Sequence, residues 1–314
     1  MAGTEPSADD LVAQARSGDR AALARLLSLV ERGGPDARAV GRITHPLGGG
    51  AYTVGITGAP GAGKSTLTSS LVERVRADDL AVAVLAIDPS SPFSGGAILG
   101  DRVRMGDHTS DPGVYIRSMA TRGHLGGLSL ATGEAVRVLD AAGWPWILIE
   151  TVGVGQVEVE VASAADTTVV VVNPGWGDAV QANKAGLLEI ADVFVINKAD
   201  RPGVAETRRD LERMLDLTDR PGWRPPIVAT TAPTGDGVAE LWAALRSHRS
   251  HLESTGQLDP RRAARAGDEL VRIVAVLLRE RALAAAGDEL QAAAAAVHER
   301  AVDPWTAAEG LLPD

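Results

Sequence analysis

The sequence predicts an α/β fold: a mostly parallel central sheet with helices on both sides, a helical segment ahead of it and a helical extension behind it. Three observations carry this. Short apolar runs alternate with helix-period segments through the middle of the chain. A glycine-rich loop joins the first run to a helix. Toward the C-terminus the composition shifts to Ala, Leu and Arg. At 314 residues and 45% hydrophobic content, the chain can bury one large domain plus extensions. With only two Tyr and two Phe, Ala, Val and Leu must fill that core.

Residues 1–8 read as unstructured. From Ala8 to Arg32, Leu11, Val12, Ala15, Ala22, Leu23, Leu26, Leu27 and Val30 recur at helical spacing, until Gly33-Gly34-Pro35 stops the segment. A short helix is expected over Ala37–Ile43. The expected strands are Tyr52–Thr57, Ala81–Ile87, Val114–Ser118, Trp146–Ile149, Thr168–Val172, Val193–Ile196 and Pro226–Ala229. Their lack of polar alternation suits strands buried on both faces. Helices are expected over Thr66–Arg76, Gly126–Ala142, Val180–Ile190 and Glu206–Asp216. Val238–Ser254, Arg262–Ala285 and Asp288–Val302 also read as helices. The last two suit either a cap on the same monomer or packing against another subunit. The expected organisation is an N-terminal helical segment (1–48), an α/β domain (49–250) and a C-terminal helical arm (251–314).

A net charge of −10 argues against a general nucleic-acid binder. With no cysteine, disulfides and thiolate metal sites are excluded. Met1 to Asp10 is polar and acidic, unlike a signal peptide, and no apolar run reaches the ~20 residues of a membrane span. The expectation is a soluble cytoplasmic protein without membrane or nucleic-acid partners.

Gly58-Ala59-Pro60-Gly61-Ala62-Gly63-Lys64-Ser65-Thr66 fills G-x-x-x-x-G-K-[ST], the phosphate-binding loop of NTPases, in the strand–loop–helix context that motif requires. The loop Gly61, Ala62, Gly63, Lys64, Ser65 and Thr66 is expected to wrap phosphates with N–H groups and a helix N-terminus. Lys64 is expected to reach the β- and γ-phosphates, and Ser65 to ligate Mg²⁺. Asn197-Lys198-Ala199-Asp200 follows a later strand. Asp200 can accept from guanine N1–H and the 2-amino group, donors that adenine lacks. Asn197 is expected to bond the base edge, the stem of Lys198 to cover the ring, and the loop at Thr231 and Ala232 to close over the base. GTP and GDP are thus the expected ligands. Glu150 ends a strand beside the phosphate loop and can hold Mg²⁺, while Gly153 leaves its N–H free for the γ-phosphate. Asp88 and Asp101, from spacing alone, read as turn residues. The position after Gly153 is Val154, where many signalling GTPases place a water-orienting Gln, and Gln156 stands two positions on. Slow intrinsic hydrolysis raised by a partner is therefore expected. Arg102, Arg104, Arg117, Arg122 and Lys184 are cations that read first as structural. His248 and His251 share a helix face without an acidic cluster or Cys, so no metal site is expected there.

The blocks D-P-S-S-P-F-S-G-G-A-I-L-G-D-R-V-R-M at 88–105, E-T-V-G-V-G-Q at 150–156 and N-P-G-W-G-D-A-V-Q-A-N-K-A-G-L-L-E at 173–189, with the two nucleotide motifs, resemble the methylmalonyl-CoA mutase-associated GTPases. These MeaB-like, ArgK-type proteins lie in the G3E group of P-loop GTPases. The resemblance runs from about Leu11 to the tail 303–308. It implies a GTP-hydrolysing chaperone that gates adenosylcobalamin loading and protects a B12-dependent acyl-CoA mutase. By position, Asp88, Asp101 and Glu150 match the family's Mg²⁺ and switch acids. Residues 175–184 match its additional switch loop, with Lys184 as a nucleotide-state contact and, beside Lys64 and Glu150, a catalytic candidate. The family's homodimerisation through C-terminal helices favours a dimer. D-x-H-x-x-G is missing, since Arg122-Gly123-His124 lacks the leading Asp, so cobalamin is expected to belong to the partner. The alternatives are a nickel-enzyme-type metallocentre assembly GTPase, which the missing Cys and His-rich tracts disfavour, a GTP-dependent regulatory module with little turnover, and a kinase with a phosphate loop.

Overall fold

The computed structural model describes residues 6–89, 110–121, 127–151, 161, 163–175, 189–217 and 222–312, with backbone alone at 88–89, 120–121 and 127–129. Three helices come first: α1 (Ala8–Arg16), α2 (Arg20–Arg32) and α3 (Gly34–Thr44). The single helix expected over Ala8–Arg32 is thus two. Gly18 adopts φ 97°, which ends the first, and Asp19 caps the second by accepting from the N–H groups of Ala21 and Ala22. Both helices face one core, so the apolar spacing runs on across the break and hides it. Pro35 sits in the first turn of α3, which therefore starts ahead of the expected Ala37.

The sheet contains β1 (Tyr52–Gly58), β2 (Val82–Pro89), β3 (Val114–Thr121), β4 (Trp146–Thr151), β5 (Thr167–Val172), β6 (Val193–Asn197) and β7 (Ile227–Thr230), in the order β3-β2-β4-β1-β5-β6-β7. Every described pairing between these strands is parallel. The connecting helices are α4 (Lys64–Ala77), α5 (Gly127–Ala141), α6 (Val204–Asp216) and α7 (Val238–Ser254). All seven expected strands are present. The helix expected over Val180–Ile190 lies outside the described residues except for Glu189 and Ile190, which are helical.

Alternate strand residues point to the two faces of the sheet and feed three core clusters. Val54, Ile56, Val84, Leu148, Val169 and Val195 pack with Leu67, Leu71 and Val75 of α4 and Leu241, Trp242 and Leu245 of α7. On the opposite face, Ala83, Leu85, Ile87, Ile147 and Ile149 meet Leu23, Leu26, Leu27 and Val30 of α2 and Val138 and Leu139 of α5. Val170, Val172, Phe194 and Ile196 meet Leu211 and Leu215 of α6. Each such side chain contributes about 1.5–3 kcal/mol when fully buried, so α2 is part of the core rather than an appendage.

The amino edge of the sheet is polar inside. Tyr52 Oη, Thr167 Oγ1 and His248 Nδ1 form a buried chain at 2.7 and 2.8 Å. Nε2 of the fully buried His248 lies 3.4 Å from Asp192 Oδ1. The Trp223 ring stands 4.7 Å from that of His248 and 5.1 Å from that of His251.

The chain divides into two compact units, Met1–Arg265 and Ala266–Asp314, and α8 (Leu258–Ala286) runs through the division. The second unit also holds α9 (Glu289–His298) and α10 (Pro304–Glu309). The helix expected to Val302 thus stops at His298. Asp303 then accepts from the N–H groups of Trp305 and Thr306 and starts a further helix that no sequence pattern announced. Leu270, Val271, Val274 and Leu278 are exposed. Among the described residues, no helix is long and apolar enough to cross a membrane.

Candidate nucleotide site

β1 runs straight into the loop at 58–63, and α4 begins at Lys64. Gly63 has φ 87°, and a Cβ there would come within 2.5 Å of Asn197 Nδ2, so only glycine fits both the turn and its neighbour. Lys64 is 6% exposed. Its Nζ donates to the carbonyls of Gly58 at 2.5 Å and Ala59 at 3.1 Å, folding the cation back over its own loop. Ser65, in the first turn of α4, donates from Oγ to Glu150 Oε1 at 2.5 Å. Glu150 is 2% exposed, near the end of β4, where the ladder sets it against Ile56 of β1 and Ala86 of β2. Asp88 follows on β2, in register with Ala120. The carboxyl ends of β1, β2 and β4 therefore bring Lys64, Ser65, Glu150 and the backbone of Asp88 to one corner. Thr66 gives its carbonyl to Ser70 Oγ at 3.1 Å.

Asp101, Gly153 and Lys184 lie outside the described residues, as do Arg102, Arg104, Arg122, Val154 and Gln156. Arg117 is tied elsewhere: it donates to Glu31 Oε2 at 2.7 Å and Ser28 Oγ at 3.0 Å, fastening β3 to α2.

The second expected motif, Asn197-Lys198-Ala199-Asp200, follows β6. Asn197 is 1% exposed. Its Nδ2 donates to the carbonyls of Ala62 at 2.8 Å and Gly63 at 3.4 Å. Its Oδ1 accepts from Thr230 Oγ1 at 3.1 Å and from the N–H of Ala232 at 3.2 Å. Both amide protons and both carbonyl lone pairs thus go to protein, and Asn197 ties the phosphate loop to the loop after β7. Lys198, at φ 60°, reaches Gly61 O with Nζ at 2.6 Å. Asp200 is exposed and Thr231 half-buried. Ala232 O accepts from Ser70 Oγ at 2.7 Å. Thr230 and Ser70 were not singled out in the sequence. They complete a scaffold whose members come from β6, β7 and α4, and no local motif marks them. No group of three or more His, Asp and Glu suited to a metal ion occurs among the described residues.

The geometry suits a nucleoside triphosphate: loop glycines and a helix N-terminus for phosphates, two lysines resting on carbonyls, and an exposed Asp200 beyond β6. The family model for the methylmalonyl Co-A mutase-associated GTPase MeaB matches residues 23–288. A putative GTPase of Pyrococcus abyssi is 49% identical over 98% of this chain and 96% of its own length. GTPase ArgK of Escherichia coli is 37% identical over 81% of this chain and 80% of its own length. The crystal structure of an LAO/AO transport system kinase superposes with a TM-score of 0.71 and 27% identity over 98% of this chain and 97% of that one. The parallel sheet, the phosphate loop and these relatives agree: the chain is a GTP-hydrolysing enzyme and belongs to the methylmalonyl Co-A mutase-associated GTPase MeaB family.

Proposed function

We propose that this GTPase is a chaperone that gates adenosylcobalamin loading into a B12-dependent acyl-CoA mutase such as methylmalonyl-CoA mutase, and protects that enzyme. The observation that carries this reading is the family match over residues 23–288. The cobalamin itself belongs to the partner. The proposed setting is the cytoplasm, and the proposed assembly is a homodimer through residues 251–314. The exposed apolar residues Leu270, Val271, Val274 and Leu278 support that assembly.

In the proposed site, Lys64 exchanges its carbonyl partners for the β- and γ-phosphates, and Gly61–Thr66 wraps them. Ser65 and Glu150 hold Mg²⁺. Their oxygens, 2.5 Å apart, form the hard donor set that ion prefers, and Asp88 and Asp101 are the further acids. The ion, when bound, neutralises charge developing on the β- and γ-oxygens during in-line attack by water. Asp200 accepts from the guanine edge while Lys198 covers the ring and Thr231 and Ala232 close over it. Loss of the γ-phosphate releases the segments around Asp101, Gly153 and Lys184, which changes affinity for the mutase.

The test is GTP turnover by the purified protein, alone and with a methylmalonyl-CoA-type mutase from the same source. A slow basal rate that rises sharply with the mutase is the expected result. No stimulation and no complex would remove the chaperone reading and leave the GTPase standing.

A further inference from the structure

Arg261, Arg262 and Arg265 share one face of the first turns of α8 and converge on the amino edge of the sheet, opposite the phosphate loop. Asp166, 1% exposed and directly ahead of β5, receives most of them. Arg262 donates from Nε to Oδ1 at 3.1 Å and from Nη2 to Oδ2 at 2.8 Å. Arg265 donates to Oδ1 of Asp166 and to the carbonyl of Ala165. The N–H of Thr53, on β1, donates to Oδ2 of Asp166 at 3.0 Å. Arg261 donates to Asp192 Oδ1 at 3.1 Å. Burial alone would push the Asp166 carboxyl up. The Arg262 hydrogen bond and the charges of Arg265 and Arg262 outweigh it and hold that carboxyl below its ordinary range.

Arg262 also takes hold of the chain entering β1, donating to the carbonyls of Gly49 at 2.9 Å and Ala51 at 2.7 Å. Asp140 grips the other side of that stretch, accepting from the N–H groups of Gly49 at 2.5 Å, Gly50 at 3.2 Å and Ala51 at 2.9 Å. Gly48, Gly49 and Gly50 have no side chains to pack, so these polar contacts fix the approach to β1. No residue of 258–265 is fully buried. Leu258 packs half-buried against the core, and the rest of this helix start is held by ion pairs and polar contacts. Segments with few buried apolar contacts belong to the low-stability end of a structure, where local opening occurs. β1 then connects the two ends of the sheet: the clamp holds Ala51 and Thr53, and Gly58 opens the phosphate loop.

We propose that residues Leu258–Arg265 form a latch on the GTPase unit that nucleotide closes: GTP at the carboxyl end of β1 favours the docked helix start at the amino end, and docking favours GTP. The proposal rests on the phosphate loop being the nucleotide site. A loop whose strand is held in place presents its N–H groups preorganised, so the docked state has the higher affinity, and linkage makes the effect reciprocal.

The test is hydrogen–deuterium exchange on the full chain with Mg²⁺ and a non-hydrolysable GTP analogue. The expected result is exchange slowed about tenfold at Leu258–Arg265 and at Gly49–Thr53. In parallel, Arg262→Gln is expected to weaken analogue affinity about fivefold with kcat at saturating GTP unchanged, and Arg262→Lys to recover part of the loss. Should Arg262→Gln fail to fold, the exchange measurement on the unmodified chain decides. Analogue binding without slower exchange at Leu258–Arg265 overturns the latch. No analogue binding overturns the nucleotide-site reading itself, and the latch with it.

Discussion

The two edges of the sheet are both polar and both buried, yet they are built from opposite materials. At the carboxyl edge, Lys64 and Lys198 rest on loop carbonyls, and the amide of Asn197 ties neutral groups together. At the amino edge, Asp166 and Asp192 are matched with Arg261, Arg262 and Arg265. At the site that accepts an anion, both lysines donate to loop carbonyls, acceptors that phosphate can displace. The joint between the start of α8 and the sheet pairs its ions with each other, because a buried charge left alone is costly. The difference predicts that substitutions at the carboxyl edge act on kcat, and those at the amino edge on stability and, through the latch, on nucleotide affinity, but not on kcat.

The sharpest way to break this division is Asp166→Ala. Leaving Arg262 and Arg265 without their carboxylate is expected to cost about 3–5 kcal/mol of unfolding free energy, read by denaturant titration. The kcat at saturating GTP is expected to stay near that of the unmodified chain. Lys64→Ala is the mirror case: turnover falls about 10²–10³-fold in a steady-state phosphate-release assay, while the denaturation midpoint barely moves. If both substitutions lowered stability and rate together, the edges would not be separable.

The next test uses pH. Burial first, with Arg261 and His251 adding to it, lowers the His248 pKa from 6.5 to about 4, against the opposing pull of Asp192 and Asp166. Thr167 and Trp223 complete its surroundings. Between these values the unfolded chain binds a proton that the folded chain refuses. Stability is therefore expected to fall as pH drops from 6.5 toward 4, by up to about 3 kcal/mol. His248→Gln should flatten that slope. Asp166 acts in a different window: its stabilisation is present above its ordinary value of 3.8 and is lost only as pH falls below it. A flat stability profile between pH 6.5 and 4 would show that His248 is not the titrating group. The smallest effect is one of selectivity. Asp200→Asn is expected to shift preference from GTP toward XTP by about 10–150-fold in competition assays, with unfolding unchanged.

Much of the carboxyl edge was legible because its chemistry is local. Glycines, lysine and serine must be adjacent to surround a phosphate, and Val- and Ile-rich runs announce strands buried on both faces. The amino edge was not legible. Asp166 and Arg262 stand 96 positions apart, and Asp192 and Arg261 stand 69 apart. Each arginine looks, in sequence, like another polar residue of an Ala-rich helix. A faint signal existed: an Asp stands directly ahead of both β5 and β6, where a solvent-facing turn would not require one. Asn197 illustrates a different limit. Its motif suggests a bond to the base edge, but the hydrogen bonds of its side chain run to Ala62, Thr230 and Ala232, which only the folded ladder places beside it. Gly18 shows a third, since a continuous apolar stripe conceals a turn when both helices face one core.

The position of β1 between β4 and β5 also has a consequence for how the chain is made. Tyr52 pairs with Trp146, and Gly58 with Val171. A ribosome adding about 5–20 residues each second delivers the neighbours of β1 several seconds after β1 itself. Until then α4 can cover one face of β1, and α1 and α3 part of α2, but the strands that flank β1 and the sheet face that meets α2 are incomplete. The nascent chain is therefore expected to be most vulnerable to aggregation while β2 to β4 are still being synthesised.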